Sequence, residues 1–304
     1  MAGKSSIEWT DATWNPLAGC TKVSPGCAHC YAELMAKRLK AMGRPAYQNV
    51  IDDKGRWSGN ISLIDSVLEK PLHWKRPRKI FVDSMSDLFH ERVPEDYIQR
   101  VFEIMIKADW HVFQILTKRP NRMAGILSGA QWWDGTESDA RKHIWLGTSV
   151  ENQKAADERI PQLLKIDAAV RFLSCEPLLG RIDLGLDIWF DPEYYEGNIN
   201  KPRDGVVLQY KDLLHWVIAG GESGPKARPM HPDWARSLRD QCQWAGVAFH
   251  FKQWGEWHYD GDVIKERPQT PVTIVGDQPV YRVGKHAAGR LLDGREWNEY
   301  PDVI

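Results

Sequence analysis

The sequence predicts an α/β fold: a parallel (β/α) barrel, complete or partial, of the TIM type, with a short C-terminal extension. Two observations predict it. Short apolar runs, about seven of them, alternate with amphipathic helical patterns, as right-handed βαβ units around a parallel sheet require. Nearly every run also ends in polar residues: Asp83, Thr117-Lys118, Ser149 with Glu151, Ser174 with Glu176, Glu222 and Lys252. In such barrels the active site is built from the C-terminal strand ends, so these residues would ring one mouth. A doubly wound open sheet is the alternative for the same alternation.

Taken in order, Ile7-Glu-Trp9 and Thr13-Trp14 are apolar and β-prone on either side of Asp11, and read as a short first strand. Strong helix formers from Tyr31 to Lys40 predict the first helix, stopped by Gly43 and Pro45. Residues 46–70 read as loop with a short helix from Asp65 to Lys70. Lys79–Asp83 is a buried strand, and an apolar stripe over Pro94–Lys107 predicts a helix with proline in its first turn. The pattern repeats with strand His111–Thr117 and a helix through Met123–Leu127. It repeats again with strand Ile144–Val150 and helix Gln153–Lys165, then strand Val170–Glu176. Residues 181–212 break the rhythm and read as an insertion. Strand His215–Ala219 runs into Gly220-Gly-Glu-Ser-Gly224, followed by helix Pro232–Ala245 and strand Ala248–Lys252. Residues 1–255 would thus form the barrel. In 256–304, Val272–Val275 and Val280–Val283 flank Gly276-Asp277 as a hairpin, in an extension packing on the barrel.

Bulk properties narrow the function. The 304 residues are 42% hydrophobic, enough for a large core, and the net charge of -1 gives no overall electrostatic case for nucleic acid. Five cysteines suit a reducing cytoplasm better than a disulfide framework. The N-terminal residues lack a signal-peptide core, and no apolar run approaches membrane-spanning length, so a soluble cytoplasmic protein is expected.

Three of the cysteines, Cys20, Cys27 and Cys30, are spaced C-x6-C-x2-C across a loop whose Pro25-Gly26 folds it back before the first helix. Three thiolates so placed can hold an iron–sulfur cluster with one iron left open. They can equally hold zinc with a fourth ligand such as His29. Incidental buried thiols are the plain alternative, and fit the isolated Cys175 and Cys242 better.

A thiolate loop between the first strand and first helix of a βα barrel resembles the radical S-adenosylmethionine (SAM) enzymes. More closely, the chain resembles a largely uncharacterised phage and prophage family of radical-SAM-like proteins. Carrying that resemblance are Val23-Ser-Pro-Gly-Cys27, Cys30-Tyr-Ala, Phe172-Leu-Ser-Cys-Glu-Pro-Leu178, Gly220-Gly-Glu-Ser-Gly, Phe251-Lys-Gln-Trp-Gly and Gly289-Arg-Leu-Leu-Asp-Gly-Arg295. The commonest superfamily spacing is C-x3-C-x2-C, so x6 lengthens the first half. The resemblance implies a [4Fe-4S] cluster on Cys20, Cys27 and Cys30, SAM on its open iron, reductive cleavage of SAM, and an electron donor such as flavodoxin or ferredoxin. It names no substrate.

Each further candidate has two readings. Glu222 can receive the SAM ammonium or ribose with glycines allowing close approach, or cap a tight turn. Glu176, before Pro177, is a similar case. Lys118 and Lys252 can pair with a carboxylate or phosphate, or be solvated. Asp83 and Ser84 can line a SAM pocket, or Asp83 can cap a turn. Among fifteen tryptophans, Trp133, Trp254, Trp257 and Trp297 lie in or near loops and can stack on bases. With the basic runs Lys75–Lys79 and Lys118-Arg119, they make nucleic acid a candidate substrate. A zinc-stabilised barrel that binds a partner without redox chemistry, and a cluster-bearing sensor, are the competing functional classes.

Overall fold

The structure is a computed structural model and describes residues 2–5, 7–133, 141–185, 213–259 and 272–302. It is α/β, with a seven-stranded parallel sheet forming a partial (β/α) barrel. The strands are β1 (Ala2–Lys4), β2 (Ala12–Trp14), β3 (Leu17–Ala18), β4 (Ser62–Leu63), β5 (Lys79–Val82), β6 (Val112–Thr117) and β7 (Ile144–Ser149). They continue with β8 (Val170–Cys175), β9 (Trp216–Gly220), β10 (Ala248–Gln253), β11 (Trp257–His258), β12 (Val272–Val275) and β13 (Gln278–Arg282). The main sheet runs β1-β2-β5-β6-β7-β8-β9-β10, with β1 antiparallel at its edge. The helices are α1 (Tyr31–Ala41), α2 (Glu95–Lys107), α3 (Pro120–Gly129), α4 (Gln153–Leu164), α5 (Pro232–Ala245) and α6 (Lys285–Ala288).

The chain divides into two compact units. One comprises Met1–Thr148, Ile166–Arg171 and Val303–Ile304; the other comprises Ser149–Lys165 and Phe172–Asp302. In the first, β2, β5, β6 and β7 pair in parallel over a core of Trp14, Phe89, Phe102, Phe113 and Trp145. Helix α2 forms because Pro94 holds the extended N-cap, Glu95 and Asp96 face the positive helix end, and Tyr97, Ile98, Val101, Phe102 and Met105 make one buried stripe. In the second unit, β8, β9 and β10 pair in parallel over Phe172, Trp216, Phe249 and Phe251. Asn152 caps α4 through the Ala155 N–H at 3.0 Å. Gly246, left-handed at φ 69°, closes α5.

Two expectations change. Ile7–Trp9 is not part of the first strand: the Thr10 N–H bonds back to Ile7 O and the Thr10 hydroxyl donates to Lys79 O, turning the chain before β2 begins at Ala12. Asp65–Lys70 is not one short helix but two 3-10 turns, Asp65–Val67 and Lys70–His73, the second with Pro71 near its start. The hairpin of β12 and β13 forms as expected, and β11 adds to β13. Most of the expected 181–212 insertion lies outside the described residues. No helix among the described residues is long and apolar enough to cross a membrane.

Candidate functional site

The cysteine loop lies in the first unit, between β3 and α1. Gly19 opens it at φ 101°, and a Cβ there would sit 2.2 Å from Asn60 O, so only glycine fits beside Cys20. Pro25–Cys27 forms a 3-10 turn, with Cys27 N–H to Ser24 O at 2.9 Å. Lys22 ties the loop across itself: its Nζ donates to Ala28 O at 3.2 Å and pairs with buried Glu33 of α1 at 2.8 Å. Cys30 is the N-cap of α1 and makes no side-chain cap bond, so its sulfur stands beside the positive end of that helix. All three loop cysteines are free and half-buried, whereas Cys175 and Cys242 are free and fully buried. In this structure no three His, Cys, Asp or Glu side chains are gathered into a metal-sized group among the described residues.

Around the loop, the first unit places Asp83, Ser84 and Lys118 just past the C-terminal ends of β5 and β6. Ser84 accepts the Tyr31 hydroxyl on its carbonyl at 2.5 Å, joining the start of α1 to the end of β5. Its own hydroxyl donates to Asn15 Oδ1 at 3.1 Å. Asp83 is 3% exposed and left-handed at φ 60°. The Ser86 hydroxyl donates to its Oδ1 at 2.9 Å and the Leu17 N–H also faces the carboxyl, yet Oδ2 is buried without a hydrogen bond of ordinary geometry. Burial pushes the Asp83 carboxyl up to about 8 and, with Asp83 close by, the Tyr47 phenol up to about 12. Lys118 contributes its backbone N–H to Asp87 Oδ2 at 3.2 Å.

In the second unit the structure brings Glu176 and Lys252 together. Lys252 Nζ stands 3.2 Å from Glu176 Oε1, an ion pair without hydrogen-bond alignment, with Gly220 leaving room for that carboxylate. Glu222 is engaged differently. Arg228 grips it with Nε to Oε2 at 2.8 Å and Nη2 to Oε1 at 2.6 Å, and its backbone N–H adds a third bond at 2.8 Å. The glycines beside Glu222 answer to the chain's own backbone. A Cβ on Gly221 would meet Trp254 O at 1.9 Å, and one on Gly255 would meet Glu222 O at 2.1 Å. Glu222 is thus bound on both oxygens by Arg228.

The family described as "Protein of unknown function (DUF5131)" matches residues 4–301. The chain belongs to the DUF5131 family. No curated protein matches it. Among solved structures it is similar to a spore photoproduct lyase complexed with dinucleoside spore photoproduct, at 11% identity and a TM-score of 0.42. It is also similar to a doubly substituted spore photoproduct lyase with bound AdoMet and dinucleoside spore photoproduct, at 10% identity and a TM-score of 0.41. Both likenesses cover 93% of this chain and 71% of the other.

Sequence reasoning about this DUF5131 chain missed the role of Arg119 and did not single out Asp87. It singled out Lys118 and took Arg119 only as part of a basic run, while Arg119 reaches Cys20 and Thr21. A guanidinium immediately before the helix-starting Pro120, at a strand end, was the available signal. The aromatic-platform reading is corrected. Trp133, Trp254 and Trp297 are buried, and the indole N–H groups of Trp254 and Trp297 bond to Leu291 O and Leu292 O. Trp257 is half-buried and donates to Ala227 O at 2.8 Å. Trp254, Trp257 and Trp297 are packing elements with satisfied polar tips, while Trp133 is packed with its indole N–H unpaired among the described residues.

Proposed function

We propose that the chain is a radical SAM enzyme in which Cys20, Cys27 and Cys30 hold a [4Fe-4S] cluster. The observation that carries this reading is the contrast among cysteines. Three stay accessible in one fastened loop at the start of α1, beside the C-terminal ends of β5 and β6, while the other two are sealed in the core. Soft thiolates on a loop, one at a helix N-terminus, suit a cluster with three protein-bound irons.

Bound together, such a cluster and SAM supply one-electron reductive cleavage of a sulfonium, with electrons from a donor such as flavodoxin or ferredoxin. The chain's own part is binding and orientation. Asp83 and Ser84 are the β5-end residues we assign to SAM contact, with Ser84 fixed in place by Tyr31 and Asn15. In the second unit Lys252 and Glu176 are the polar pair we assign to ligand contact, while Glu222 serves the fold through Arg228.

The test is anaerobic purification with visible spectroscopy and iron, sulfide and zinc analysis, followed by dithionite and SAM. The expected result is a brown protein with about four irons per chain that releases 5′-deoxyadenosine, and a Cys27→Ala variant that loses the cluster. A colourless protein carrying one zinc per chain after anaerobic reconstitution would overturn the proposal and leave a structural zinc site. Nucleic acid and nucleosides are the substrates to offer first.

A further inference from the structure

The hydrogen bonds of Arg119 point to a role beyond closing the end of β6. The residue is 7% exposed, and each of its five N–H groups has an acceptor. Nε donates to Glu91 Oε1 at 2.8 Å. Nη1 donates to Asp87 Oδ2 at 2.9 Å and faces Cys20 Sγ at 3.9 Å. Nη2 donates to Thr21 Oγ1 at 2.6 Å and Thr21 O at 3.3 Å. Three of the five contacts therefore go to Cys20 and the residue after it, and the other two fasten the guanidinium to the segment following β5.

The anchor is itself fully held. Asp87, 5% exposed, accepts the Thr117 hydroxyl at 2.7 Å, the Phe89 N–H at 3.0 Å and the Lys118 N–H at 3.2 Å besides Arg119. The Thr21 side is fixed a second time by His90. Nδ1 of His90 accepts the Arg92 N–H at 3.1 Å, so the ring proton sits on Nε2 and is donated to Thr21 Oγ1 at 3.0 Å. Thr21 Oγ1 thus receives two N–H groups. A lysine could not reproduce this, because an ammonium lacks the planar fork that meets a carboxylate, a hydroxyl, a carbonyl and a sulfur at once.

We infer that Arg119 is a positioning residue for the cysteine loop: it sets Cys20 and Thr21 against Asp87 and donates an N–H to the Cys20 sulfur, tuning whatever that sulfur binds. The inference deepens the proposed cluster site, and its redox arm rests on that reading. An N–H directed at a ligating sulfur draws charge from it and raises the reduction potential of an iron–sulfur group.

The experiment uses full-length Arg119→Gln and Arg119→Lys beside the parent, in two arms. In the metal-free, reduced proteins, alkylation by iodoacetamide is read at each cysteine by peptide mass spectrometry. Cys20 is expected to react several-fold more slowly in Arg119→Gln, because its thiolate loses the guanidinium N–H that faces it, while Cys27 and Cys30 keep their rates. In anaerobically reconstituted proteins, the midpoint potential is read by an electron-paramagnetic-resonance titration and iron retention by chelator challenge. The potential should fall in Arg119→Gln, iron should be lost about tenfold more readily, and Arg119→Lys should recover the potential in part. An unchanged Cys20 rate and an unchanged potential would overturn the inference. Should Arg119→Gln fail to fold, Arg119→Lys and Thr21→Val carry both arms, and parental values in both would overturn it equally. A parent that takes zinc or no metal sinks the cluster proposal alone, and the alkylation arm then decides the clamp.

Discussion

Asp83→Asn should make the protein's stability less dependent on pH, and the structure sets the size of the effect. In the fold, burial keeps the Asp83 carboxyl protonated up to about pH 8, whereas its ordinary value is 3.8. Its contribution to stability is therefore complete below about pH 4 and is lost as pH rises to about 8, where the loss levels off. Each pH unit in that window is worth about 1.4 kcal/mol, so from pH 5 to pH 8 the parent should lose about 3 to 4 kcal/mol through this one group. Asparagine stays neutral in both states, its Oδ1 can still accept the Ser86 hydroxyl, and it tolerates the left-handed φ of 60°. The assay is urea unfolding of both proteins at half-unit steps from pH 5 to pH 9, in reductant and chelator, followed by tryptophan fluorescence. The variant should gain on the parent steadily up to about pH 8 and then run parallel to it. A difference that stays constant within about 0.5 kcal/mol across the range would refute the argument from burial, because the charge on Asp83 would then be solvated in the fold.

Three further outcomes are expected. Gly221→Ala should destabilise by about 3 kcal/mol or more, since its Cβ would lie 1.9 Å from the Trp254 carbonyl and neither backbone can yield cheaply; the melting temperature reports it. Arg228→Ala should cost about 2 to 4 kcal/mol in urea unfolding, because the buried Glu222 carboxylate loses its fork, and pairing it with Glu222→Gln should recover part of the loss. Lys252→Met and Glu176→Gln, with the double variant, should show a coupling of about 1 kcal/mol between two partly buried partners 3.2 Å apart; no coupling would mean that the pair is incidental.

The fold was legible because its strands are short apolar runs closed by polar residues, and its helices carry unambiguous stripes. Helix Pro232–Ala245 was read to the residue, since His231, Pro232 and Gly246 mark its ends chemically. The start of the chain was misread because β-prone Ile7 and Trp9 sit in a turn set by a distant carbonyl, that of Lys79. That contact has no local signature. The site was legible only as residue types. Glu222 looked free, because the partner that occupies it, Arg228, lies six residues on, across a turn whose geometry the sequence does not specify. The glycines around it suggested room for a ligand, and the room is taken by the carbonyls of Trp254 and Glu222.

A polar residue at a strand end can serve the fold or serve a ligand, and hydrogen-bond accounting separates the two. Glu151, fully buried, is held by Arg159 at 2.9 Å; Thr117 is committed to Asp87; Glu222 is committed to Arg228. These are internal fasteners. Asp83 differs, since one of its oxygens is buried short of a well-made bond and its carboxyl is driven toward neutrality. Arg119 differs in the opposite sense, because all its donors are assigned and most point outward from the sheet end to the loop of Cys20. Burying a guanidinium against Asp87 costs several kcal/mol of desolvation that an apolar side chain would avoid. If sealing β6 were the only need, leucine would do it better. Fixing one cysteine and its neighbour in a set orientation is what only the planar fork can do. The chemistry of this chain is therefore to be sought at the loop that Arg119 holds.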